Sequence, residues 1–213
     1  MIGLIVLLGL LVAASASSQV QSEGVVVVLE TTMGSIEVTV DPVRAPLSAG
    51  DFLRYVDRGL YDEAAFYRVV RQGNDHGTPP IEVVQGGIVD KAKALEPIPH
   101  ETTEQTGITH SDGVISLART EPGTGGGSAF FICIGDQPAL DFGGTRNTDG
   151  LGFAAFGRVT DGMDVVRKIH ALPAEAAAPV EYLKGQLLTE PVTILKARRV
   201  TVASEDAVEQ LDD

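Results

Sequence analysis

Arg68 stands inside the apolar run Phe66-Tyr67-Arg68-Val69-Val70 and is the anomaly among the strand-like segments of this chain. A guanidinium carries five N–H donors in a rigid fork and stays charged at physiological pH, so beside an apolar surface it can grip a carbonyl or meet a lone pair. On a solvated strand face the same side chain would do no chemistry, and the run taken alone favours that blander reading. Other patterns fall short of the chemistry they suggest. Gly123-Thr124-Gly125-Gly126-Gly127-Ser128 is glycine-rich, but no Gly-Lys-Ser/Thr follows and the G-x-G-x-x-G spacing breaks at Ser128, so it reads as a loop and not a phosphate cradle. Around Asn147-Thr148-Asp149-Gly150, Thr145 and Phe156 occupy the positions where a calcium loop needs its first and last acidic ligands. Asp141-Phe142-Gly143 lacks the other parts of a kinase. His76, His100, His110 and His170 show no i, i+4 pair, and there is no Gly-x-Ser-x-Gly elbow. Neither a metal site nor a hydrolase triad is expected.

The elements that must position such residues are mostly strands. Val25 to Glu30 and the alternating Ile36-Glu37-Val38-Thr39-Val40 flank a Gly34-containing turn, which predicts a β-hairpin. Pro46 to Asp57 carries Phe52, Tyr55 and Val56 at i, i+3, i+4, with Gly59 where a left-handed residue would end a helix. A second helix is expected from Asp161 to His170. Short β-rich runs recur at Ala65 to Val70, Ile81 to Gln85, Gly113 to Leu117, Ala129 to Ile134, Phe153 to Val159 and Val192 to Val200. Eight strands with two α-helices predict a mostly-β domain, and closing the sheet into an antiparallel barrel removes the exposed edges.

Composition narrows the function. The 213 residues include 44% hydrophobic and 21% charged side chains, an ordinary globular make-up for one domain. Sixteen Lys+Arg against 29 Asp+Glu leave a net charge of −13, which repels phosphate backbones and argues against a nucleic-acid partner. A single cysteine, Cys133, rules out an intramolecular disulfide. The uncharged opening from Met1 to Ser18, with its apolar run Ile2 to Ala14 and the small residues Ala14-Ser15-Ala16, reads as a signal peptide and not a membrane span, which needs about 20 apolar residues. The expected organisation is a signal peptide at 1–18, a linker at 19–24, the folded domain at 25–202 and an acidic tail at 203–213.

Taken together, the segments Phe66-Tyr67-Arg68-Val69, Gln85-Gly86-Gly87, Ser128-Ala129-Phe130-Phe131-Ile132, Leu140-Asp141 and Phe156-Gly157 resemble the cyclophilin family of peptidyl-prolyl cis-trans isomerases, most closely its exported bacterial members. The likeness runs from about Val25 to Val200. It implies a closed eight-stranded barrel that rotates X-Pro bonds in exported, folding proteins, working as a periplasmic or secreted monomer. Its partners would be proline-containing polypeptides, with no cofactor and no metal. The resemblance assigns Arg68 to the prolyl nitrogen and carbonyl. It assigns Val83, Phe131, Leu140 and Phe153 to the proline pocket, and Gln85, Ala118 and Arg119 to the neighbouring peptide backbone.

Several positions depart from the family pattern. Phe153 replaces a histidine common at the pocket rim. Glu82 stands where a pocket phenylalanine is usual, so another side chain must supply that wall, and Ala129 replaces a glutamine that binds substrate backbone. Ala139 replaces the tryptophan of drug-sensitive members, which implies weak cyclosporin binding. Arg68 and Gln85 lie 17 residues apart, about twice the family's common spacing, so Arg71 to Pro80 is expected to loop out over the surface. Glu82 and Ala129 motivate a rival reading, a proline-peptide binding module with little turnover.

Overall fold

The structure, a computed structural model, describes residues 24–120 and 125–200. The expected signal segment, linker positions 19–23 and the acidic tail lie outside the described residues. Alternation sets the first hairpin. In β1 (Val25–Thr31) and β2 (Gly34–Val40), Val27, Leu29, Ile36, Val38 and Val40 all point inward and are fully buried, as the two-residue period of a strand requires. The remaining strands are β3 (Ala65–Val70), β4 (Val83–Gly87), β5 (Val114–Leu117), β6 (Ala129–Cys133), β7 (Ala154–Asp161) and β8 (Leu187–Arg199). They hydrogen-bond in the closed order β1-β2-β7-β5-β6-β4-β3-β8, with every neighbouring pair antiparallel.

All eight expected strands are present, with boundaries shifted by one to five residues everywhere but in β3; two of the shifted starts have a visible cause. β4 begins two residues later than expected because the Ile81 amide is tied to the Asp75 carboxylate instead of a neighbouring strand. β8 begins five residues earlier than expected. Its pairing with β3 jumps from Phe66↔Val192 to Arg68↔Leu187, and Pro191, which has no N–H to offer a ladder, falls within that irregularity.

Helix α1 (Pro46–Asp57) has Pro46 in its first turn and no capping side chain of its own. Its first free amides instead donate to a buried carboxylate distant in sequence: Leu47 N to Glu101 Oε1 at 3.0 Å and Ser48 N to Glu101 Oε2 at 2.6 Å. Gly59, at φ 63°, turns the chain after the helix as expected. A four-residue helix, α2 (Thr103–Thr106), was not expected. Its start is a capping box in which Thr102 and Gln105 satisfy one another's amides. Helix α3 (Met163–His170) buries Val165, Val166 and Ile169. The barrel interior is closed by aromatic contacts: Phe52 of α1 lies 5.1 Å from Phe156 and 5.6 Å from Phe130, and Tyr61 is 5.2 Å from Phe52.

Candidate active site

Strict alternation along β3 would turn Arg68 into the barrel, on the same side as the fully buried Phe66. A β-bulge prevents it. Against β4 the register passes from Phe66↔Gly86 directly to Arg68↔Gln85, so Tyr67 is the extra residue. Phe66 and Val69 therefore both belong to the inner core, whereas Tyr67, Arg68 and Val70 face outward. Gly86 permits this close approach, because a Cβ there would sit 2.8 Å from the Phe66 ring.

Outside the barrel wall a second apolar cluster forms from Val70, Ile81, Val83, Phe131, Cys133 and Leu140, with Ala118 and Phe153 packed against it. β6 divides its side chains between the two cores, with Phe130 inside and Phe131 outside. Phe131 meets Phe153 edge to face at 5.3 Å, and Phe153 N donates to Leu140 O at 2.9 Å, which holds those walls together. Ile81, next to Glu82 in the chain, is part of this apolar surface. Burial in this cluster pushes the Cys133 thiol well above its ordinary pKa, so it behaves as an inert apolar side chain.

The cluster floors a groove of about 840 Å³. Arg68, Val83, Gln85, Ala118, Arg119, Phe131, Leu140 and Phe153 all line it, so the eight residues singled out from the sequence converge on one concave surface. Three arginines line this groove, and their partners differ. Arg119 donates to both oxygens of Asp149 (2.7 and 2.8 Å) and to Gly152 O (2.8 Å), with its guanidinium 5.4 Å from the Phe153 ring centroid. Those hydrogen bonds hold the Asp149 carboxyl down at a pKa of about 2. Arg146 donates to both oxygens of the fully buried Asp75 at 2.7 Å, and also to Pro79 O and Tyr182 Oη. Burial works to raise the pKa of Asp75, but Arg146 and the amides of Gly77 and Ile81 hold it below the ordinary value.

Among the described residues Arg68 has no carboxylate partner. Its Nη1 donates to Gln85 Oε1 at 2.8 Å, while Nε and Nη2 donate to Gln186 Oε1 at 2.9 and 2.6 Å. The Tyr182 ring lies 5.7 Å from the guanidinium carbon. Burial lowers its pKa from the ordinary arginine value, with Tyr182 working the other way. Gln186, Tyr182 and the Asp75–Arg146 pair carried no motif, and sequence reasoning missed them. The segment Arg71 to Pro80 is also not the simple excursion expected. It leaves the barrel between β3 and β4, then turns back through Asp75 to build the rim of the groove.

Behind Phe131 lies a feature that the motif search did not anticipate. His110 stacks on Phe131 at 5.9 Å, with Nδ1 2.7 Å from Asp141 Oδ1 and Nε2 3.0 Å from Ser116 Oγ. This is a hydrogen-bonded serine–histidine–aspartate chain, but Ser116 is wholly buried in β5 opposite Phe131, where no acyl group can reach it. It braces the pocket wall.

Residues 26–199 match the model of the family described as cyclophilin type peptidyl-prolyl cis-trans isomerase/CLD. Peptidyl-prolyl cis-trans isomerase A of Dickeya dadantii (strain 3937) is 34% identical over 175 residues, 81% of this chain and 83% of that protein. Peptidyl-prolyl cis-trans isomerase B of Escherichia coli (strain K12) is 30% identical over 173 residues, covering 79% and 98%. A crystal structure of a cyclophilin type peptidyl-prolyl cis-trans isomerase from Cryptosporidium parvum superposes with a TM-score of 0.63 at 18% identity, over 84% of this chain and 99% of that one. A closed antiparallel barrel with an outward arginine over an apolar cluster, matched along nearly its whole length, makes this chain a member of the cyclophilin-type peptidyl-prolyl cis-trans isomerase family, and an isomerase.

Proposed function

We propose that Arg68 is the catalytic residue of this isomerase and that the groove turns X-Pro bonds by holding the twisted imide more tightly than the planar one. Amide resonance opposes that rotation by roughly 18–20 kcal/mol, and nothing covalent is needed to lower it. In this reading Val83, Phe131, Leu140 and Phe153, with Ile81, hold the prolyl ring. Gln85 binds the flanking backbone through Nε2. Ala118 and Arg119 contribute through their main chain, since the Arg119 fork is committed to Asp149 and Gly152. As conjugation breaks, the nitrogen lone pair is freed and Arg68 donates to it. A gain of about 6 kcal/mol specific to that state would speed exchange more than ten-thousandfold.

The observation that carries this reading is that Arg68, alone among the three groove arginines, has only neutral acceptors among the described residues, beside the apolar cluster. The test is a protease-coupled assay on a proline-containing peptide, comparing the protein with Arg68→Ala. Equal rates would overturn it. Ile81, next to Glu82 in the chain, adds apolar surface to that cluster, which supports turnover over the binding-only rival.

Export to the periplasm or medium, with folding chains as clients and a monomer as the working unit, is part of the same proposal. It is supported by the uncharged apolar opening from Ile2 to Ala14 and its small-residue end. No helix among the described residues is long and apolar enough to cross a membrane. Amino-terminal sequencing of the protein recovered from cell fractions, with its mass in solution, tests these points; full-length chain in the cytoplasm would refute export.

A further inference from the structure

We infer that Gln186 is a positioning residue for Arg68: it fixes the guanidinium edge with an amide oxygen so that the fork is held still while its charge stays uncompensated. The inference rests on Arg68 being the catalytic residue. Gln186 sits immediately before β8, is fully buried, and accepts from two different nitrogens of Arg68 with a single oxygen. The orientation of its amide is itself determined. Nε2 donates to Asn74 O at 2.7 Å, and a flipped amide would set an NH₂ against the guanidinium.

Asn74 is the support behind it. Its Oδ1 accepts from Arg71 N at 2.7 Å, and its Nδ2 donates to Gly185 O at 2.7 Å and Val69 O at 3.2 Å. It thus ties the long β3–β4 segment to the residue before Gln186. The Gln186 main chain closes the circuit by accepting from Val69 N at 2.9 Å, one residue past Arg68. Of the five N–H donors of a guanidinium, three are occupied by Gln85 and Gln186, and two remain for a substrate. The segment Arg71 to Pro80 acquires a task in this account, as the back wall of the arginine anchor.

An amide at 186 has a specific advantage over a carboxylate. Glutamate would hold the guanidinium at least as firmly, but as an ion pair of the kind already made by Arg119 and Arg146, and the counter-charge would weaken its pull on the prolyl lone pair. Positioning and charge therefore separate in one substitution.

The experiment compares the full chain with Gln186→Glu, Asn74→Ala and Arg68→Ala, measuring kcat and KM for one proline-containing peptide together with the melting temperature. Gln186→Glu is expected to lower kcat about tenfold or more with KM preserved, a split that loss of packing alone would not produce, and to lower the melting temperature because a carboxylate cannot donate to Asn74 O. Asn74→Ala, which loosens the anchor without adding charge, is expected to lower kcat a few-fold, and it carries the test if Gln186→Glu does not fold. Wild-type kcat in Gln186→Glu, or in Asn74→Ala where the first is unfolded, with Arg68→Ala inactive, overturns the positioning role and leaves the site reading standing. Wild-type activity in Arg68→Ala overturns both.

Discussion

Arg68, Arg119 and Arg146 line one groove, yet the protein treats their charges in two ways. Arg119 and Arg146 are each paired through both carboxylate oxygens with an aspartate, and their side chains are 3% and 5% exposed. Both hold structure: the first steadies the Phe153 ring, the second clamps the segment after β3 to the rim beside Tyr182. Arg68 is gripped with the same number of side-chain hydrogen bonds to the protein as Arg119 has in total, but every acceptor is an amide. A buried cation beside a carboxylate has its field largely cancelled, whereas one held by amide dipoles projects its charge into the groove. The choice of acceptor, more than burial or the count of hydrogen bonds, separates the arginines that build the groove from the one proposed to act in it.

That contrast can be broken from either side. The largest effect is expected from Asp75→Ala, which leaves the Arg146 charge buried and unpaired and should cost about 3–5 kcal/mol of stability; chemical denaturation measures it, and a loss below about 1 kcal/mol would mean that the pair is not structural. Next, Arg68→Ala should reduce the isomerisation rate about 10²–10³-fold while lowering the melting temperature less than Asp75→Ala does, since it unpairs an amide and not a charge. Arg68→Lys should recover only part of that rate, because an ammonium cannot span Gln85 and Gln186 as a planar fork does. Asp149→Asn, on a partly exposed pair, should cost about 1 kcal/mol or less and raise KM modestly as Phe153 loses its brace.

Acid should act through the structural pairs. Asp75 and Asp149 both have folded-state pKa values below those of the unfolded chain, so their contribution is complete above the unfolded value and is lost as pH falls through the folded one. For Asp149 that window runs from about pH 4 down to about 2. The melting-temperature gap between the protein and Asp149→Asn should therefore close across this range. A gap that persists at the acid end would show that the pair contributes nothing through its charge.

Much of the fold was legible because strands with one buried face repeat every two residues. Val27, Leu29, Ile36 and Val38 announce both the hairpin and which side of it is inside. Two of the boundaries that moved did so where a local rule met a distant partner: Ile81 belongs to the apolar run but is hooked by Asp75, and Pro191 interrupts β8 at an irregularity that tolerates it. The bulge at Tyr67 left no mark on the pattern, yet it alone turns Arg68 outward. The site divided the same way. Its eight residues could be named because short distinctive runs such as Phe66 to Val69 and Ser128 to Ile132 carry a family resemblance, and the resemblance implies the rest. Gln186 and Asn74 could not, since glutamine and asparagine are ordinary surface residues and only their position gives them a partner.

The sequence by itself determined the strands and the two longer helices, which depend on neighbours a few positions apart, and the family resemblance, which implied the closed sheet and eight of the groove residues. Only the tertiary structure decided which arginines would have their charge balanced by a carboxylate. That depends on acceptors that lie 17 and 118 residues away for Arg68, 30 for Arg119 and 71 for Arg146. Electrostatic compensation acts through a few ångströms of space whatever the separation along the chain, and closing the barrel is what brings those partners within reach.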